Sequence, residues 1–462
     1  MCLEARHVVP PAGCDDDRNM VRRSEGEFDR LIAEALAHHQ AKRLSEAEAA
    51  YRAALDLSPG HPAVTHNLGV VAAARGDHQS AIDCFDAVIA AEPRYVSAHF
   101  NRAVALQALG QSREAIKSFE RVCALEPEHY DAHRALGFLW LAEGERGRAL
   151  DHFARTYELR RGEDRTRIAA KSLTTATRAK LMHDAEQFRF LSGLRRDGQR
   201  FAMLAQSYEG VAKDFPDGTA ALSGSQIDRL GEDYNTAIAI GGAPELAGQA
   251  VSARPDRDAI LRHFKDKAGA VLFDNLLTPP ALAGLKRYLL ESTIWHDFDH
   301  IDGFVASYLE DGLACPLVLQ IADEIRRMFP EILSEHPLSQ AWAFKGLEAR
   351  AAIDAHADDA AFSVNFWVTP DAANRDPERG GLTVCLVPPP SAWQVRDYNA
   401  DKEAIVTFLE LHADDSLIVP YRENRAVLFN SRLFHRSDAP HFATGYENHR
   451  INLTLLFGRH GS

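Results

Sequence analysis

The stretch Asp354-Ala-His356-Ala-Asp358-Asp359 crowds one imidazole and three carboxylates ahead of a run, Phe362 to Thr369, in which apolar residues alternate with others. Nitrogen and oxygen donors of this kind hold transition metals, and a ferrous site needs only two histidines and a carboxylate on one face, with the other face open. His356 and Asp358 supply two ligands locally at a strand end. The third must come from a distant strand that folding brings alongside, and His435 in LFHRSDAP meets that requirement. Asp354 and Asp359 stand as alternatives to Asp358, or as acceptors orienting a ligand histidine. His441 falls beyond Pro440 in an expected loop, and His449 should point away from the face that carries Arg450. Without a metal, the same residues read as a charged loop entering a sheet.

Arg450 lies on the last run, HRINLTLLFG. Read by itself, its guanidinium is a partner for a carboxylate in a salt bridge at the sheet surface. The two-residue strand period puts Asn452 and Thr454 on its face. Asn365 and Trp367 face the same expected cavity by parity, with Trp367 also readable as core.

These groups need strands to hold them. Phe362, Val364, Phe366 and Val368 make one face of a strand greasy enough to lie under helices, while Ser363, Asn365, Trp367 and Thr369 make the other. Gly380-Gly381 marks a turn into the next strand. From Gly269 the chain gives a strand, a helix with Pro279 at or near its first position, a second helix in LACPLVLQIADEIRRMFPEIL, and then mostly strands. Between Leu386 and Tyr421 the chain exceeds what a hairpin needs. Ala404 to Leu411 reads as a short helix there, and the segment is expected to help form a substrate entrance.

The first third repeats with a period of 34: Ala47, Ala81, Ala115 and Ala149 recur, followed after four positions by Tyr51, Phe85, Phe119 and Phe153. Pro59, Pro93 and Pro127 close the first three units, and Arg161 replaces the fourth proline, so the last helix is expected to run on. A small residue lets antiparallel helices approach, an aromatic fills the space between them, and proline stops the second helix. Leu68-Gly69 and Leu136-Gly137 add small residues to the first helix of two units. Stacked pairs of this kind form a curved solenoid that binds rather than catalyses; a spacer or dimerisation element is the alternative.

Residues 1–24 are expected to be a disordered leader, 25–163 four repeats, 164–260 a helical connector and irregular linker, and 261–462 a further domain. His183, Asp184 and Glu186 fall together on the connector, where a solvated helix face is expected. With 462 residues, 46% hydrophobic and 26% charged, the chain is ordinary multidomain globular protein. A net charge of -14 argues against general affinity for nucleic acid or an anionic membrane. Six scattered cysteines form neither a zinc knuckle nor a disulfide frame, and no run has the roughly 18 apolar residues of a membrane helix; a cytoplasmic location is expected.

The repeat period and pattern resemble tetratricopeptide repeats. Residues from about 268 to 462 resemble an iron(II) and 2-oxoglutarate dependent dioxygenase of the double-stranded β-helix (jelly roll) fold, in the prolyl-hydroxylase-like superfamily. They are most similar to bacterial proteins in which such repeats precede the oxygenase. The resemblance implies iron held by His356, Asp358 and His435, and 2-oxoglutarate paired with Arg450. Many relatives place Ser two positions after the basic residue; here it is Asn452, and Asn452, Thr454 or Asn365 would contact the cosubstrate. Dioxygen is the third reactant implied, hydroxylation the outcome, and a protein or peptide recruited by the repeats the partner, with a small-molecule substrate also open. An interaction protein carrying a non-catalytic oxygenase fold is the alternative.

Overall fold

The computed structural model describes residues 14–162, 173–298, 303–347, 352–390, 393, 401–439 and 441–459. They form two compact units, 1–132 and 133–462. No helix among them is long and apolar enough to cross a membrane.

Eight helices alternate through the repeats: α1 Cys14–Gln40, α2 Leu44–Leu57, α3 Pro62–Ala74, α4 His78–Ala91, α5 Val96–Ala108, α6 Ser112–Leu125, α7 Tyr130–Ala142 and α8 Arg146–Arg161. Helix α1 begins inside the segment expected as a disordered leader, whose residues 1–13 lie outside the described ones. The repeating alanines and aromatics are all buried. A Cβ on Gly69 would meet the Phe85 ring at 2.8 Å, and one on Gly137 the Phe153 ring at 2.6 Å. The small residue is thus required by the aromatic that fills the gap. With no proline to stop it, α8 continues to Arg161.

The two units divide within α7, after Ala132. Leu141, Ala149 and Phe153 of the fourth repeat belong to the same core as Ala243, Leu285, Leu289 and Val364, so most of this repeat is part of the second unit. The connector joins it as well. Helices α9 (Arg178–Leu194) and α10 (Gly198–Ala212) pack on each other around Phe188, Phe201 and Tyr208. The expected irregular linker holds helix α11 (Gly224–Leu230), opened by a Ser223/Gln226 capping box. A two-stranded ribbon, β1 (Thr175–Ala176) with β2 (Ala220–Ala221), ties its start to α9.

His183 and Asp184 depart from expectation: both are buried, and only Glu186 keeps partial exposure. His183 Nδ1 meets Asp184 Oδ1 at 3.0 Å, and Lys180 pairs with the other oxygen of Asp184. Charged groups on this helix face are tolerated because they bond one another out of water.

Two antiparallel sheets make the rest. Strands β3 (Ala270–Asp274), β4 (Phe304–Tyr308), β5 (Leu338–Gly346), β7 (Phe362–Trp367), β10 (Arg425–Asn430) and β12 (Arg450–Phe457) form one, in the order β3-β10-β7-β12-β5-β4. Strands β6 (Ile353–His356), β8 (Leu382–Cys385), β9 (Ser416–Val419) and β11 (His435–Ser437) form the other, in the order β6-β11-β8-β9. Helices α12 (Arg257–Asp266), α13 (Pro279–Glu291), α14 (Pro316–Met328) and α15 (Pro330–Leu333) complete this half. Val364 and Phe366 share the core of α13 and α14, as the alternation predicts. Trp367, on the opposite face, is fully buried with Val384, Val419 and Tyr421 and does not line the cavity. Helix α16 (Lys402–Leu411) covers the expected Ala404–Leu411 helix; residues 391–392 and 394–400 of the same insertion lie outside the described residues.

Candidate metal centre

Strands β6 and β11 are neighbours, and their register puts His435 opposite His356. Asp358 follows β6 by two residues, and its amide donates to the Ser431 carbonyl at 3.0 Å, which turns its side chain inward. The result is one cluster: the ligand atoms of His356, Asp358 and His435 all lie within 4.8 Å of one another, and no other such group occurs among the described residues.

The hydrogen bonds around the cluster fix its chemistry. His356 Nδ1 lies 2.8 Å from the Asp354 carbonyl, and His435 Nδ1 lies 3.1 Å from the Leu433 carbonyl. A carbonyl can only accept, so in both rings Nδ1 carries hydrogen and Nε2 is free to bind a metal. Burial pushes the His435 imidazole down to about 4, which keeps it neutral. The two Nε2 atoms stand 3.7 and 3.6 Å from the Asp358 oxygens, too far for hydrogen bonds. Three donors therefore converge without satisfying one another, which suits a cation between them.

Backbone carbonyls, not the carboxylates of Asp354 and Asp359, orient the histidines. Asp354 instead pairs with Lys402 at 2.8 Å, and Asp359 is exposed. Ser363 is a participant that the sequence reading placed only on the cavity face. Its hydroxyl donates to Asp358 Oδ2 at 2.6 Å and meets Ser431 Oγ at 2.8 Å. His441 lies outside the cluster, and His449 turns to Glu186 at 2.9 Å.

A cavity of about 710 Å³ contains the cluster together with Asn365, Arg450, Asn452 and Thr454. Arg450 is 2% exposed, and its Nε donates to the Gly380 carbonyl at 2.7 Å while Nη1 donates to Asn452 Oδ1 at 3.2 Å. The Gly380-Gly381 turn brings that carbonyl in: Gly380 has φ +82, and a Cβ on Gly381 would strike the Val419 carbonyl oxygen. Burial lowers Arg450 to about 10, so it stays charged at neutral pH. Among the described residues no carboxylate oxygen lies within 4.0 Å of it. A buried guanidinium held only by neutral acceptors leaves room for an anion. Asn365 adds an orphan: Nδ2 donates to Thr454 Oγ1 at 2.9 Å, while buried Oδ1 has no partner.

Tetratricopeptide-repeat family models match residues 38–106 and 96–129. No curated protein matches the chain. Among solved structures, MamA from Desulfovibrio magneticus RS-1 is 24% identical, covering 30% of this chain and 77% of that one, with a TM-score of 0.29. A further MamA structure is 15% identical over 42% of this chain and 97% of that one, also at 0.29. The first tetratricopeptide-repeat domain of Spaghetti, bound to an HSP90 peptide, is 24% identical over 26% of this chain and 94% of that one, with a TM-score of 0.25. With the 34-residue period and its buried alanine and aromatic positions, the family matches make residues 38–129 tetratricopeptide repeats.

Proposed function

We propose that the chain is a non-haem iron(II) and 2-oxoglutarate dependent dioxygenase, acting as a hydroxylase, whose repeats recruit a protein or peptide. The observation that carries this reading is the convergence of His356 Nε2, His435 Nε2 and the Asp358 carboxylate within 4.8 Å, in one cavity with a buried arginine that lacks a carboxylate partner. Two antiparallel sheets that share a core, with His356 and His435 on one and Arg450 on the other, support a double-stranded β-helix.

In this reading the two histidines and Asp358 hold iron, Ser363 fixes the Asp358 carboxylate, and Arg450 pairs with the far carboxylate of 2-oxoglutarate. Asn452 and Thr454 offer further polar contacts on the same strand face. When bound, iron, 2-oxoglutarate and dioxygen supply the redox chemistry: the oxoacid becomes succinate and carbon dioxide, with one oxygen atom entering succinate and the other a substrate C–H bond. The chain's own work is to position these groups and keep water out, with no acid or base catalyst required. Protein recruitment rests on the repeats alone, since solenoids of this kind present extended binding surfaces.

Anaerobic addition of iron(II) and then 2-oxoglutarate to the full chain should give a weak visible charge-transfer band, followed by succinate in air. Neither band nor succinate, with candidate substrates present, would leave an interaction protein on an inactive fold. Succinate formation untouched by Arg450→Ala would point to a metal protein that does not use this clamp.

A further inference from the structure

We propose that the half of the cavity built by β4 and β5 is the substrate subsite, and that it takes an uncharged apolar group, aliphatic or aromatic. The proposal rests on the oxygenase reading for the use of the other half and adds the class of substrate.

The division follows from register. Thr454 on β12 is paired with Asn365 on β7 and with Trp342 on β5, and Trp342 is paired with Tyr308 on β4. Cross-strand partners share a face, so one row across the sheet reads Asn365, Thr454, Trp342, Tyr308. The next row places Asn452 beside Phe344. Among the side chains that line the cavity, the chemistry changes at the boundary between β12 and β5, from amide and hydroxyl to aromatic; Trp367, which pairs with Asn452 from β7, is buried in the core and does not line it. The other six side chains all line the same cavity as the metal-binding cluster.

The aromatic half is a continuous wall. Tyr308 and Trp342 meet edge to face with centroids 6.5 Å apart, Trp342 and Phe344 at 6.3 Å, and Phe344 and Phe304 at 6.2 Å. Tyr308 spends its hydroxyl on Asp297 Oδ2 at 2.9 Å, so what it offers the cavity is ring. Phe304 and Phe344 are buried, whereas Tyr308 and Trp342 stay partly open. At the rim, Asp354 and Lys402 neutralise each other at 2.8 Å. Among the described lining residues no charge is left over on this side for an ionic substrate, and burying one against the wall would be costly. Space is not limiting: about 710 Å³ is in the range that receives drug-sized ligands, more than the roughly ten heavy atoms of the oxoacid fill.

The test uses the full chain with iron(II), anaerobically, with and without 2-oxoglutarate. Calorimetric titrations would compare acetylated pentapeptides that differ only in a central Leu, Phe, Lys or Glu, alongside free indole. Leu or Phe peptides, or indole, should bind more tightly than the Lys and Glu peptides; preference for the peptides over indole assigns a side chain, and the reverse assigns a small molecule. Trp342→Ala should weaken the apolar probes by about tenfold or more, Trp342→Phe should restore most of that loss, and 2-oxoglutarate affinity should stay unchanged in both. Equal binding of charged and apolar probes, or apolar binding indifferent to Trp342→Ala, would overturn the subsite. Failure of the wild type to bind 2-oxoglutarate would instead overturn the oxygenase reading, while the probe ranking measured without it still decides the wall's preference.

Discussion

The guanidinium of Arg161, the last residue of α8, grips the Asp311 carboxylate with two hydrogen bonds, Nε to Oδ1 at 2.8 Å and Nη2 to Oδ2 at 2.6 Å. Both side chains are buried, and Asp311 ends the short helical turn Leu309–Asp311 that follows β4 directly. This pair therefore fixes α8 to the strand whose Tyr308 walls the cavity. Burial alone would raise the Asp311 carboxyl, but Arg161, aided by Arg160 and His296, holds it below the usual carboxylate range. Truncation in Arg161→Ala strands a buried charge and should destabilise the second unit by about 3–5 kcal/mol. A carboxyl depressed in the folded state adds stability that is complete above its unfolded pKa, about 3.9, and is lost below it. Urea unfolding followed by tryptophan fluorescence should thus show the largest gap between wild type and variant at neutral pH, narrowing below about pH 4. An equal gap at both pH values would contradict this account.

Lys345 presents the opposite case, a fully buried amino group on β5 with no carboxylate in direct contact among the described residues. Its Nζ sits 4.4 Å from the Trp295 ring centre and 4.1 Å from that of Tyr446, donates to Tyr446 Oη at 3.0 Å, and lies 3.3 Å from His183 Nε2. Burial holds its pKa well below the ordinary lysine range despite Asp184 and Glu186. A lysine depressed in this way makes stability rise with pH until the unfolded value, about 10.4, is passed. Lys345→Met keeps the volume and removes the charge. It should equal or exceed wild type by up to about 4 kcal/mol at neutral pH, with the advantage shrinking as pH rises. A large loss of stability in the variant would show that the cation–π and hydrogen-bond contacts outweigh the cost of burial.

What the sequence could and could not reveal follows from which periods are local. The two faces of Phe362–Thr369 were legible because strand parity needs only neighbours, and the repeats because Ala47 and Tyr51 recur in register. The convergence of His356, Asp358 and His435 was legible because the first two are two residues apart and few distant histidines could join them. The burial of His183 and Asp184 was not, since their covering partner Lys345 comes from a strand far along the chain. Nor was the division after Ala132, which depends on Phe153 sharing a core with α13 and α14. Orientation of the histidines by carbonyl oxygens leaves no side-chain signal at all.

On the proposed oxygenase reading, Ser363 should matter to metal affinity without being a ligand. Its hydroxyl holds Asp358 Oδ2 at 2.6 Å. Losing such an outer contact costs about 10–100-fold in metal affinity. Ser363→Ala should therefore bind iron(II), or cobalt(II) as a probe, that much more weakly in anaerobic titrations, with an unchanged circular dichroism spectrum. Asp358→Ala should bind weaker still. Unaltered affinity in Ser363→Ala would mean that the backbone contact of Asp358 is sufficient to aim it.

The glycines of the repeats give a prediction in which two effects of opposite sign compete. Alanine is favoured over glycine inside a helix by about 0.8–1.0 kcal/mol. At Gly69 and Gly137, however, the new Cβ would stand 2.8 and 2.6 Å from the buried rings of Phe85 and Phe153. Overpacking of this kind costs about 1–3 kcal/mol, and both rings are fully buried. Crowding should win at both positions, and by more at Gly137, where the contact is closer. Gly69→Ala should lower the unfolding midpoint of the first unit and Gly137→Ala that of the second. Each loss should be relieved by trimming the facing ring, as in Gly137→Ala with Phe153→Leu. A gain in stability from either single alanine would show that the helices can move apart, and that the small residue is not what sets their spacing.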